Sequence, residues 1–293
     1  MSHHLSLGDR AAQLGDFSAA ITHYAAAVPN TDGAYERLCQ ATASFGRRDE
    51  ALACCKTALA VLPSSAFLHS LDAQESAAAG NVIHAAAAFG RADALAGATP
   101  DASVRLNWGI TLSAAGRSAE AVVRLESAVA LTPNEAVGYT ELARALEHSS
   151  RSSTHARAYA ARLLPSSAEA HLEHGNALLA DRRASEAAEA MRRAIVLSPP
   201  ATGLAHAYYG LAQARLVMHD ACGAREALRR AARLSPRDSD LHHRHGVAAM
   251  RCSRAGGRGG GRANDRTPAD EAAKLRREAE AAWNRALAFG HRR

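Results

Sequence analysis

Residues 101–133 read DASVRLNWGITLSAAGRSAEAVVRLESAVALTP, and the order of apolar, turn and stop signals in this stretch decides the fold. Two runs rich in Ala, Leu and Val are separated by Gly116 and closed by Pro133. Glycine supplies the left-handed conformation that ends a helix. Proline lacks an N–H and clashes with the preceding turn, so it stops the second run, and a short polar residue after it caps the next helix. The stretch predicts two antiparallel helices of about a dozen residues each.

The same unit recurs along the chain. Pro29, Pro63, Pro100, Pro133, Pro165, Pro199 and Pro236 follow one another at intervals of 34, 37, 33, 32, 34 and 37 residues. Each closes an Ala/Leu-rich run, as in ALAVLP (58–63) and AARLSP (231–236). Gly15, Gly46, Gly80 and Gly116 fall about halfway between. Neither helix of such a unit buries its apolar face alone, so stacked neighbours must complete the core.

Seen repeat by repeat, small and large residues alternate at fixed places. The first unit has Leu7, Gly8, Gly15, Phe17, Ala20, Tyr24 and Ala27; the fourth has Trp108, Gly109, Gly116, Ala121, Ala128 and Pro133. This pattern resembles the tetratricopeptide repeat, which places Gly at position 8, small residues at 20 and 27, an aromatic at 24 and Pro at 32. The resemblance covers nearly the whole chain. It implies an all-α, right-handed superhelical solenoid of about eight helix pairs, with the fifth degenerate after Leu146 and the eighth split by an insertion. The division expected is residues 1–250 for repeats one to seven and the first helix of the eighth. An Arg/Gly-rich flexible insertion follows at 251–267, and 268–293 holds the last helix and a basic end.

Composition agrees with that reading. Hydrophobic residues make up 47% of the chain but aromatics only 4%, so the core is built from thin, closely packed helices. Net charge is +6 and unevenly spread. Residues 1–100 carry 6 basic and 9 acidic side chains, residues 101–200 carry 11 and 11, and residues 201–293 carry 18 and 9. The five cysteines, Cys39, Cys54, Cys55, Cys222 and Cys252, lack CxxC spacing and are expected to be small buried filler in a reducing compartment. With no signal-peptide core and no run of about 18 apolar residues, the expectation is a soluble, cytoplasmic protein without membrane insertion.

No chemistry-bearing motif emerges. GxSxG, GxxxxGK[ST] and a strand followed by GxGxxG are all missing, so no catalytic residue and no cofactor is expected. The histidines of HLEHG (171–175) and LHHRHG (241–246) lie three apart on one helical face. They lack HExxH spacing and a completing carboxylate or cysteine, so core or groove-wall histidine is expected rather than a metal site.

The resemblance implies that first helices line a concave groove. Its wall would carry Arg37, Gln40, Leu106, Asn107, Ile110 and Glu141, then Arg144, Glu173, Asn176, Tyr209, Gln213 and Arg244. Leu106 and Ile110 suggest an apolar contact. The lysines of the family's chaperone-tail clamp are absent, and Asn107 alone represents its asparagine ladder. The groove would receive a protein partner, as a helix or an extended peptide segment. Arg251, Arg254, Arg258, Arg262 and Arg266 form a basic arm that could hold RNA or an acidic protein. Leu287 and Phe289, at an end without an extra capping helix, suggest docking or self-association. The function expected is a non-enzymatic interaction scaffold or adaptor, with binding of RNA or an acidic partner as the alternative.

Overall fold

In a computed structural model, residues 2–28, 33–198, 202–256 and 268–290 are described, and among them there are helices and turns but no strand. The chain divides into two compact units, Met1–Arg151 and Ser152–Arg293. The first contains α1 (Ser2–Gln13), α2 (Phe17–Ala27), α3 (Ala34–Ser44), α4 (Arg48–Val61), α5 (Ala66–Ala78), α6 (Val82–Ala96), α7 (Ala102–Ala114), α8 (Ser118–Leu131) and α9 (Ala136–His148). The second contains α10 (Thr154–Leu163), α11 (Ala168–Ala180), α12 (Ala184–Leu197), α13 (Thr202–Val217), α14 (Ala221–Leu234), α15 (Ser239–Gly256) and α16 (Pro268–Ala288). The expectation of about eight helix pairs is met. The boundary between the units falls inside the fifth repeat, where the sequence loses its pattern. Of the periodic prolines, Pro29 and Pro199 lie outside the described residues.

The turns inside the repeats share one geometry. In the first seven repeats the amide three residues past the first helix reaches back five residues, as in Asp16 to Ala11 O (3.0 Å), Arg117 to Leu112 O (2.9 Å) and Asp220 to Arg215 O (2.8 Å). This helix-ending bond needs a left-handed residue just before it. Gly15, Gly46, Gly80 and Gly116 fill that place with φ of 75–83°. In the next three repeats Ser150, Arg182 and His219 adopt it instead, with φ of 56°, 60° and 62°. The backbone requirement persists where the glycine does not.

Within a repeat the two helices meet through a small residue set against a large one. A Cβ added at Gly8 would lie 2.4 Å from Tyr24, at Gly109 2.5 Å from Leu125, at Gly175 2.7 Å from Met191 and at Gly246 2.6 Å from Trp283. Alanines at the family's positions 20 and 27, among them Ala51, Ala58, Ala187, Ala194, Ala224 and Ala231, are fully buried. Each large residue seated on a glycine removes apolar area from water, and a fully buried Leu contributes roughly 1.5–3 kcal/mol. Tyr24 also donates its hydroxyl to Asp9 (2.8 Å). Burial, then Asp9, pushes its pKa to about 12.

Two expectations are corrected. The cysteines are not all free filler: Cys39 of α3 is bonded to Cys54 of α4, and Cys222 of α14 to Cys252 of α15, with Cα separations of 5.4 and 4.7 Å. Cys55 is the remaining thiol and is buried, and its pKa is pushed to about 12 by burial, then by Asp72 and Glu75. This pairing removes the cysteine argument for a reducing compartment. The segment assigned to the insertion from 251 also begins as helix, because α15 continues to Gly256 and carries Cys252 inward to meet Cys222.

Candidate functional site

The first helices of the seventh and eighth repeats, α13 and α15, enclose a cleft of about 400 Å³. Helical spacing builds it: Tyr209, Gln213 and Leu216 recur on one face of α13, and Asp240, Arg244, Val247 and Arg251 on one face of α15. Arg244 donates to Asp240 at 2.5 Å, and its guanidinium lies 5.4 Å from the centre of the Tyr209 ring. The hydrogen bond to Asp240 raises the pKa of Arg244. With both partners about half exposed, the pair orients the side chain more than it stabilises the fold. The floor, with Ala212, Leu228 and Ala248, is apolar. The cleft thus combines an aromatic ring, an amide, a carboxylate and two guanidinium groups above a small-residue floor.

The structure brings Tyr209, Gln213, Arg244 and Arg251 together. It does not bring the other groove candidates to that cleft. Arg37 pairs with Asp9 (3.4 Å), Gln40 donates to Ser44 (3.4 Å) and Arg144 pairs with Glu141 (2.9 Å). Leu106, Asn107 and Ile110 are half-buried on α7. Glu173 is held by the buried Arg157 across α10 and α11, and Asn176 is exposed. Of the basic arm, Arg251 and Arg254 are exposed on α15, whereas Arg258, Arg262 and Arg266 lie outside the described residues. Leu287 and Phe289 are exposed, and the Phe289 ring stacks on His242 at 6.0 Å.

The histidines have structural tasks that the sequence reading missed. His69, His171 and His242 are buried, and each donates its Nε2–H to a proline carbonyl six residues earlier: Pro63 (3.0 Å), Pro165 (3.2 Å) and Pro236 (2.9 Å). The recurring P-x5-H spacing was the available signal. His245 bonds through Nε2 to Glu278 (2.9 Å). Burial, the largest influence, lowers its pKa against the pull of Glu278. Among the described residues no three His, Cys, Asp or Glu side chains converge as a metal site would require, and no helix is long and apolar enough to cross a membrane.

No family model matches the sequence, and no curated protein matches it either. Solved structures do match. The C-terminal part of a TPR repeat-containing protein from Cytophaga hutchinsonii covers 87% of this chain and 95% of its own, at 14% identity and a TM-score of 0.66. A tetratricopeptide repeat protein from Parabacteroides merdae covers 84% and 98%, at 12% identity and a TM-score of 0.53. MamA from Desulfovibrio magneticus, from residue 41 to its end, covers 64% and 94%, at 17% identity and a TM-score of 0.51. At these identities the likeness is one of fold: the chain has the tetratricopeptide-repeat architecture, as its residue pattern implied.

Proposed function

We propose that this protein is a non-catalytic interaction scaffold that receives a segment of a protein partner in the α13–α15 cleft. One observation carries the reading: Tyr209, Gln213, Arg244 and Arg251, drawn from two first helices, converge above an apolar floor. Aromatic and arginine side chains around a small cavity suit a short helix or extended peptide. The experiment compares affinity capture by the full chain and by Tyr209→Ala/Arg244→Glu, with matched circular dichroism and melting curves. Partners lost with the variant support the cleft as the binding site. An unchanged set of captured proteins counts against it.

A second reading rests on the 18 basic against 9 acidic side chains of residues 201–293 and on the exposure of Arg251 and Arg254. In that case RNA or an acidic protein binds through counterion release, and affinity falls steeply with salt. Deleting residues 257–267 would weaken such binding and leave the cleft-dependent partners unaffected. Self-association through Leu287 and Phe289 is a further arm of the same scaffold reading. It predicts a concentration-dependent mass in light scattering that Leu287→Glu abolishes.

A further inference from the structure

Two stretches of the second unit repeat each other: AARLLPSSAEAHLEHG (160–175) and AARLSPRDSDLHHRHG (231–246). They share Arg162/Arg233, Pro165/Pro236, His171/His242 and His174/His245, each pair 71 residues apart. Each stretch lines a cleft between consecutive second helices; the first lies on α10 and α11, apart from the α13–α15 groove, and the second runs from α14 into α15. One lies between α10 and α12, about 650 Å³ in volume, and the other between α14 and α16, about 590 Å³. The repeat places Arg193 opposite Arg285, Leu197 opposite Phe289 and Glu186 opposite Glu278, because Met191 and Trp283 occupy the same socket.

The two clefts differ in where the carboxylate goes. In the α14–α16 cleft Glu278 turns inward, accepts from His245 (2.9 Å) and pairs with Arg225 (3.3 Å). In the α10–α12 cleft the corresponding Glu186 is captured by Arg183 of the preceding turn (2.6 Å), an Arg-x-x-Glu pairing that recurs as Arg47–Glu50 and Arg117–Glu120. In the eighth repeat the place of that turn arginine, three residues before the glutamate, is taken by the buried Leu275 of α16, so Glu278 is left to the histidine. His174 therefore has no carboxylate within bonding distance among the described residues. Arg162, Arg192 and Arg193, exposed at the cleft rim, make no ion pair among the described residues, and no acidic side chain lines the cleft. The rest of the lining is His171, its Nε2–H engaged by the Pro165 carbonyl, and apolar groups, with Ala158, Ala161, Leu197 and the 84%-exposed Val196.

We propose that the α10–α12 cleft is a second docking site, taking an acidic peptide segment of a partner protein. Its carboxylates would sit on Arg162, Arg192 and Arg193, with a neighbouring aliphatic side chain against Val196 and Leu197. Charge complementarity chooses this occupant: a cation-rimmed, apolar cleft without an acid excludes basic segments, and its sister cleft shows a carboxylate bonded to the matching histidine. Guanidinium groups fit carboxylates as two-point donors, and the exposed valine gives an apolar anchor a surface to cover.

The test is fluorescence anisotropy with the full chain and a labelled twelve-residue peptide of glutamates with two leucines. Saturable binding is expected, weakened about tenfold or more by Arg192→Glu/Arg193→Glu and by Val196→Asp. Tyr209→Ala should leave it unchanged, which separates this site from the α13–α15 cleft. Matched melting curves establish that the variants are folded. Four results overturn the proposal: no saturable binding, binding indifferent to the α10–α12 variants, equal binding of an all-glutamate peptide, or equal binding of a single-stranded RNA oligonucleotide.

Discussion

Gly109 of α7 lies so close beneath Leu125 of α8 that a Cβ on it would come within 2.5 Å of the Leu125 Cγ. Leu125 is fully buried and has no room to retreat. Gly109→Ala is expected to destabilise the first unit by about 1–3 kcal/mol through overpacking. Adding Leu125→Ala should recover part of that loss relative to the sum of the two single variants, because the alanine removes the clashing atoms. Urea unfolding of the four proteins measures the coupling. Strict additivity would contradict the contact.

The disulfides give a count. Native protein should expose no reactive thiol, and one, Cys55, when unfolded without reductant; five should titrate once reduced. Cys55 is fully buried, and its pKa of about 12 leaves almost no thiolate at neutral pH. Closed loops of 15 and 30 residues each constrain the unfolded chain by about 3–4 kcal/mol in the entropic account. Reduction should therefore lower the melting temperature. Thiol titration with and without denaturant checks the numbers.

Arg182 and His219 hold the left-handed turn position that glycine holds in earlier repeats. An L-residue there costs roughly 1–2 kcal/mol, partly offset by glycine's extra unfolded-state entropy. His219→Gly should stabilise the protein by about 1 kcal/mol. Gly116→Ala, where a Cβ would meet only open space, should cost a similar amount through φ alone. Differential scanning calorimetry reads both signs.

Acidification should weaken the second unit. Burial lowers the pKa of His245, with Arg225 and His242 adding to the effect and Glu278 opposing it; burial, then His171, lowers that of His174. A depressed histidine pKa means that the unfolded chain binds the proton more readily. The associated stability is complete above about pH 6.5 and is lost as pH falls below it. The melting temperature should therefore drop between pH 7.5 and 5.5, and by less in His245→Gln.

The repeat period was legible because proline and glycine act on the backbone wherever they stand. The turns of repeats five to seven were not, since Ser150, Arg182 and His219 carry no left-handed signature of their own. The disulfides could have been found: Cys39 occupies the place that glycine takes at 8, 109 and 175, facing the helix on which Cys54 sits. CxxC spacing is no signal for these bonds, because the repeat frame and not the local chain makes the pair. The groove was only partly readable, since most of its candidates are engaged by neighbours such as Asp9 or Arg157. The α10–α12 cleft was hidden because alanines and exposed arginines on second helices read as a solvated surface. Arg225, an arginine on the second helix α14, is likewise engaged, paired with Glu278 of α16.

Gly246 meets Trp283 as closely as Gly175 meets Met191, yet the first pair is separated by 37 residues and the second by 16. Register between the helices of a repeat is thus dictated by the side-chain socket, independently of how much chain joins them. Lengthening a connection adds little closure entropy. The joint at 257–267 is accordingly a splice point: a reporter domain or an epitope could be grafted there while the helix pair on either side keeps its fit.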